Sequence, residues 1–208
     1  MSRKVLVMAA VAWVAMAGEA AGQGLRVSPW IGMYAPTAKL GTVQAIEFGE
    51  KESTLAYGAT LDFGGRNQVL GFRIDGAYAT NSDVPIEGVG CTNCELRSTV
   101  LTAAGALVLR PLPMPLVQPY AVGGLGAKWY DFDIDANLGN TLRDQTKFTG
   151  LAGLGVVFFP SSSVNLMVEL TDYISGFDFD DGNASTTSNT QHDLFFKAGL
   201  SIGLGSRR

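Results

Sequence analysis

Apolar side chains recur at every second position in eight stretches of the chain. A two-residue period places these side chains on one face of a β-strand and the intervening ones on the other. The last stretch is the clearest example, because all of its even-numbered positions are apolar. The eight predicted strands are Leu25–Tyr34, Ser53–Phe63, Val69–Ala79, Glu95–Arg110, Val117–Asp131, Lys147–Phe159, Val164–Ile174 and Leu194–Leu204.

Two of these strands depart from the simple pattern. Pro29 lies inside the first strand, and because proline cannot donate a hydrogen bond to a neighbouring strand, we expect a bulge or bend there. The strand Glu95–Arg110 is apolar on both faces between Leu101 and Leu109. The pattern therefore leaves its facing open, and we place Thr102 inward.

The connections between the predicted strands alternate between long and short. A soluble β-sandwich could also have seven or eight strands, but it has no reason to sort its connections by length. Single-chain outer-membrane barrels have an even number of strands, short periplasmic turns and longer extracellular loops. The sequence therefore predicts an all-β fold, an eight-stranded antiparallel up-and-down transmembrane β-barrel with both termini in the periplasm. The four long connections are Ala35–Glu52, Thr80–Cys94, Phe132–Thr146 and Ser175–Gln191.

The N-terminal segment has the pattern of a secretory signal peptide. Arg3 and Lys4 precede an apolar run from Val5 to Ala17, and small residues follow it. We expect cleavage after Ala20 or Gly22, so that residues 1–22 are the signal peptide and residues 23–208 the barrel. No later run approaches the roughly 20 apolar residues that a transmembrane helix needs.

Composition excludes some classes of protein. The chain is 47% hydrophobic and 16% charged, which is too apolar for a disordered protein. Without Arg3, Lys4 and Glu19 it has 13 basic and 18 acidic residues, a formal charge of −5, which argues against nucleic acid as a partner. Cys91 and Cys94 suggest a local disulfide in an exported protein. Metal binding or redox catalysis is the alternative, but no second cysteine pair or nearby histidine supports it.

The alternation also assigns charged residues to the non-lipid face. An eight-stranded barrel is only wide enough for side chains to fill its interior, so we expect these charges to pair and to close the lumen. In register, Glu169 should lie across from Lys197 or one residue away, and Arg26 should lie beside Asp62. The predicted lumen charges are Arg26, Asp62, Arg73, Asp75, Lys128, Lys147, Glu169, Asp193 and Lys197.

A family resemblance rests on two motifs. One is Pro119-Tyr120 followed by Gly123, Gly124 and Gly126; the other is Lys197-x-Gly199-x-x-Ile202-x-Leu204 in the last strand. With the eight-strand rhythm, they resemble the OmpA/OmpX-like family of small outer-membrane β-barrel proteins of Gram-negative cell envelopes. The resemblance implies that Lys197, Gly199, Ile202 and Leu204 form the signal read by the barrel-assembly machinery. That signal usually ends the chain with an aromatic residue, whereas Gly-Ser-Arg-Arg follows Leu204 here.

Candidate catalytic and metal-binding patterns are incomplete. Outer-membrane lipid A deacylases use a His-x-Ser pattern, but His192 is followed by Asp193 and Leu194, and the alternation turns His192 outward. The acidic stretch from Asp131 to Asn137 is spaced like a calcium loop. It is not an EF-hand, because Ala136 replaces its glycine. We therefore expect no enzyme activity, no metal site and no cofactor.

The predicted role is that of a non-enzymatic, integral outer-membrane protein. Its body would be a monomeric structural element with a side-chain-filled lumen, in contact with outer-membrane lipid and lipopolysaccharide, and its extracellular loops would make surface contacts. The alternatives are a small passive pore, a conduit for hydrophobic ligands, or a lipid-modifying enzyme.

Overall fold

The computed structural model describes residues 24–37, 39–43, 46–50, 52–64, 68–87, 95–111, 114–134, 145–160, 163–178 and 188–204. The predicted signal peptide, Cys91 and Cys94 lie outside these residues. No helix among the described residues is long and apolar enough to cross a membrane. The described residues form ten strands: β1 Leu25–Pro36, β2 Lys39–Val43, β3 Ile46–Glu50, β4 Thr54–Phe63, β5 Leu70–Glu87, β6 Glu95–Leu109, β7 Val117–Ile134, β8 Gln145–Phe158, β9 Val164–Asp178 and β10 Ser188–Gly203.

Eight of these strands close into a barrel. β1 pairs with β4, and each strand from β4 to β9 pairs antiparallel with the next one along the chain. β10 then pairs with β1, which closes the sheet. The predicted all-β, eight-stranded, up-and-down antiparallel barrel is therefore confirmed.

The two remaining strands lie in a segment predicted to be a loop. β2 pairs with β3, and β3 pairs with β5 through Glu47 opposite Glu87 and Phe48 opposite Ile86. β5 extends to Glu87 after a shift in register between Ala79 and Ser82. The predicted loops Ala35–Glu52 and Thr80–Cys94 were therefore too long. Backbone pairing with a neighbouring strand continues here beyond the point where the apolar alternation stops.

Alternate side chains of the barrel strands face outward, and many of these are large and apolar. Burying the charged face and exposing the apolar one is the reverse of a soluble protein, and it is the arrangement expected for a barrel surrounded by lipid. The exposed apolar side chains include Ile31, Met33, Leu55, Tyr57, Phe72, Leu107, Leu125, Phe148, Leu154, Leu166, Leu170, Phe196 and Leu200.

The facing of β6, which the sequence left open, is resolved. Thr102 is buried and points into the lumen together with Val100, Ala104, Ala106 and Val108. These inward residues are small or medium-sized, which suits a narrow interior. The sequence pattern was ambiguous because almost the same residue types also suit the lipid-facing side.

The expected bulge at Pro29 is absent, because the register between β1 and β10 does not shift there. Arg26 pairs with Gly203 and Val27 with Ile202, and the same register resumes at Trp30 and Gly199. Pro29 is exposed on the outer face. The pairing is interrupted for two residues because proline has no N–H, but neither strand gains an extra residue.

Glycine is required at two kinds of position. Gly64, in the short connection after β4, has a φ of +132°, a conformation that residues with a Cβ rarely adopt. Gly199 faces inward, where a Cβ would lie 2.4 Å from the backbone oxygen of Pro29 and 2.7 Å from Trp30 Cβ. The glycine leaves the space in which the Trp30 side chain lies inside the barrel.

Candidate functional site

The lumen contains a network of buried charges, which is the candidate functional site. Seven charged side chains of the described residues are no more than 4% exposed: Asp62, Arg73, Asp75, Lys128, Glu169, Asp193 and Lys197. Burying an unpaired charge is costly, so the partners of each one decide whether this interior is stable.

Arg73 connects two carboxylates near the short-turn end of the barrel. Its Nε donates to Asp62 Oδ1 at 2.8 Å and its Nη2 to Asp62 Oδ2 at 3.1 Å. Its Nη1 donates to Glu169 Oε2. The planar guanidinium is suited to this task because it can present two parallel donors to Asp62 and a third to another strand.

Lys197 occupies the middle of the network. Its Nζ lies 2.9 Å from Asp75 Oδ2 and 3.1 Å from Glu169 Oε1, and Lys197 is directly opposite Glu169 in the β9–β10 register. Tyr120 donates to Glu169 at 2.6 Å, and Tyr173 donates to Asp75. Glu169 therefore contacts two cations, Arg73 and Lys197. Among the described residues, Lys197 is the only cation that contacts Asp75.

Asp193 organises a second cluster towards the long-connection end. Lys128 Nζ and the hydroxyl groups of Tyr34, at 2.7 Å, and Tyr130, at 3.1 Å, all donate to its carboxylate. Lys128 also donates to Ser175 Oγ at 2.9 Å and to the backbone oxygen of Tyr173 at 3.1 Å. Every donor of this ammonium group thus has an acceptor.

Aromatic rings pack between the two clusters. The Phe195 ring lies 5.1 Å from Tyr34, 5.4 Å from Tyr173 and 6.3 Å from Trp30, measured between centroids. Lys197 Nζ lies 5.0 Å from the Trp30 centroid, within the range of a cation–π contact. Buried charges and rings are therefore in contact with one another inside the lumen.

The nine predicted lumen charges do not all belong to this network. Arg26 and Lys147 are half-buried near opposite ends of the barrel, Arg26 across from Asp62 and Lys147 across from Lys128. The prediction omitted Arg110 and the four tyrosines that donate to lumen carboxylates. The sequence pattern could have identified the tyrosines, because the alternation places all four on the same strand faces as predicted charges. They are Tyr34, Tyr120, Tyr130 and Tyr173.

Arg110 follows β6 and folds back over the short-turn end. Its Nη2 lies 3.4 Å from Asp62 Oδ1, and its side chain is only 11% exposed. Burial lowers the pKa of the guanidinium, an effect that nearby Asp62 opposes. Arg110 and Arg73 thus share one carboxylate.

The four residues of the predicted assembly signal divide between the two faces of β10. Lys197 belongs to the lumen network and Gly199 packs against Trp30, while Ile202 and the following Leu204 are exposed outside. Lys197 and Gly199 therefore have a role in packing this barrel, whether or not they also belong to an assembly signal.

His192 lies on the outer face, away from the network. Its Nδ1 is 2.7 Å from Asp172 Oδ2 on β9, whereas Asp193, its neighbour in sequence, points into the lumen. Thr37, which follows β1, lies beside it, but its hydroxyl donates to the His192 backbone oxygen at 3.3 Å and not to the ring. No described hydroxyl is therefore hydrogen-bonded to this imidazole as an activated nucleophile would be.

Metal binding has no support among the described residues, where no group of three or more histidine, cysteine, aspartate or glutamate side chains could hold an ion. Most of the acidic stretch after Asp131, including Ala136 and Asn137, lies outside the described residues.

Comparisons with known proteins identify the fold. No family model matches this sequence, and no curated protein matches it. The outer-membrane protein OprG from Pseudomonas aeruginosa aligns with a TM-score of 0.62 and 13% identity, over 89% of this chain and 98% of that one. Neisserial surface protein A aligns with a TM-score of 0.56 and 13% identity, over 86% of this chain and 96% of that one. The chain therefore has the fold of small eight-stranded outer-membrane β-barrels, as the sequence motifs suggested.

Proposed function

We propose that this protein is an integral, monomeric component of a bacterial outer membrane, exported by a signal peptide over residues 1–22. Three observations support the location: the barrel is closed, its outer face is apolar, and its fold is that of outer-membrane proteins. Lipid and lipopolysaccharide would surround the outer face. The barrel-assembly machinery would recognise the last strand.

The orientation follows from the connections. The short turns and both ends of the barrel domain lie at the same end of the strands, and short turns are periplasmic in proteins of this kind. The long connections would then be extracellular and would supply any contacts at the cell surface. This orientation is part of the proposal.

The role we propose is structural and non-enzymatic, with a lumen that conducts no solute. The observation that carries it is the burial of all seven network charges, each with an oppositely charged partner inside the barrel. A water-filled pore would hydrate these groups and would not need such pairing. The same filling argues against a small passive pore and against passage of a hydrophobic ligand along the axis.

Conductance across a planar lipid bilayer tests the closed lumen. Full-length mature protein, with folding verified by its altered gel mobility before heating, should give no regular current steps. Reproducible single-channel openings from the folded form would refute the proposal. Mass spectrometry of lipid A from cells with and without the protein tests the enzymatic alternative, and the two spectra should be identical.

A further inference from the structure

A small cavity opens at the short-turn end of the lumen. Its volume is about 20 Å³, and its lining includes Arg26, Asp62, Arg73, Arg110, Tyr120 and Ser201. Such a volume holds about one water-sized group, and a larger molecule could insert one polar atom while the rest stays outside.

The charges around this cavity are unequal. Three guanidinium groups line it, but the described lining contains one carboxylate, that of Asp62. Both oxygens of Asp62 already accept hydrogen bonds from Arg73, and the contact with Arg110 is longer, at 3.4 Å. Asp62 is therefore engaged mainly by Arg73 and compensates Arg110 poorly.

Arg110 supplies a second, independent observation. Its Nη1 is buried and has no hydrogen-bond partner among the described residues. A buried donor on a charged group is costly to leave unpaired, more so than a neutral one. The side chain is nevertheless held in the cavity, with its guanidinium packed over Gly71, where a Cβ would lie 2.5 Å from Nη1.

We propose that this cavity is a binding site for a small oxyanion, a phosphate or a carboxylate, with Arg110 as its principal ligand. An oxyanion would supply the acceptor that Nη1 lacks, and its charge would compensate Arg110, which Asp62 compensates poorly. Arg26 faces the same space from β1, and buried Ser201 offers a hydroxyl. The site adjoins the lumen network, with which it shares Asp62 and Arg73, and it does not depend on the orientation in a membrane.

The test uses the full mature barrel folded in detergent. Sodium phosphate and sodium acetate are each titrated against sodium chloride at matched ionic strength, while the temperature of unfolding is followed by gel mobility. We expect a saturable rise in that temperature with at least one of the two oxyanions. Arg110→Gln should weaken this binding about tenfold, because it removes a charge-assisted contact. Arg97→Gln, at an exposed arginine near the other end of β6, should leave it unchanged.

Three outcomes would overturn the proposal. The first is that neither oxyanion gives a saturable effect beyond that of chloride, in which case the cavity would hold only a water. The second is that Arg110→Gln binds the oxyanion as tightly as the unchanged protein does. The third is that Arg97→Gln weakens oxyanion binding as much as Arg110→Gln does. If Arg110→Gln does not fold, Arg26→Gln carries the test, since it removes a guanidinium from the opposite wall. Unchanged phosphate and acetate binding in that variant would also refute the site.

Discussion

The two faces of β10 are held by different kinds of interaction, although their side chains alternate along one strand. Leu200 is 50% exposed on the outer face, and the next residue, Ser201, is 3% exposed on the inner one. Outward residues need only be compatible with an apolar solvent, whereas Lys197 on the inner face needs particular partners at particular distances. On the outer face, tolerance to substitution should therefore depend on the depth of the residue in the bilayer. On the inner face, it should depend on which interaction partner is lost.

Removing Lys197 should have the largest effect of the changes considered, because it leaves two buried carboxylates with less compensation. Loss of one partner from a buried ion pair costs about 3–5 kcal/mol of unfolding free energy. We expect Lys197→Ala to lower stability by that amount, measured by urea unfolding of the barrel in lipid vesicles. Phe196→Ala, at the adjacent exposed outward position, is the control and should cost less. Equal losses in the two variants would erase the distinction between the faces.

Leu200→Arg tests the outward face. An arginine facing lipid at the bilayer midplane costs about 2–4 kcal/mol, and this falls to about 0–1 kcal/mol near the membrane surface. Leu204 is also outward and 60% exposed, but it lies just beyond the end of β10. We therefore expect Leu200→Arg to reduce the unfolding free energy in vesicles clearly more than Leu204→Arg. The opposite order would mean that the apolar belt is misplaced along the strand.

The alternation of apolar and polar residues predicted the strands and the facing of most of their side chains, because this pattern is present within each strand's own sequence. It placed Lys197 inward and Leu200 outward, and strand neighbours such as Glu169 and Lys197 follow from counting across a connection. Contacts across the lumen could not be counted in this way. Lys128 on β7 reaches Asp193 on β10, and that pairing depends on the diameter and stagger of the closed barrel.

The hairpin of β2 and β3 marks a second limit of the sequence. Its residues show no clear apolar alternation, and its pairing with β5 is made by backbone groups, which no side-chain pattern records. The position of the Arg110 side chain is a third feature that the sequence pattern does not predict. Arg110 follows the last residue of β6, and its side chain can fold back only because Gly71 leaves space for it.

The last and smallest effect separates the two carboxylates that share Lys197. In Lys197→Ala, Glu169 keeps Arg73 and Tyr120, while Asp75 keeps the hydroxyl of Tyr173 but loses the cation described on it. Neutralising Asp75, which has lost its cation, should therefore restore more unfolding free energy than neutralising Glu169, which keeps Arg73. Sequence counting alone had pointed to Glu169 as the partner to neutralise.

We therefore expect Asp75→Asn to recover about 1–2 kcal/mol in the Lys197→Ala background, within the range of coupling between contacting residues. Glu169→Gln should recover less, or cost more, because it weakens the contact that satisfies Arg73. Urea unfolding of the unchanged protein, the three single variants and the two double variants in vesicles completes both double-mutant cycles. Greater recovery with Glu169→Gln would mean that Lys197 compensates chiefly Glu169. The charges would then be organised by neighbouring strands, and the contact that Lys197 makes across the lumen with Asp75 on β5 would matter little.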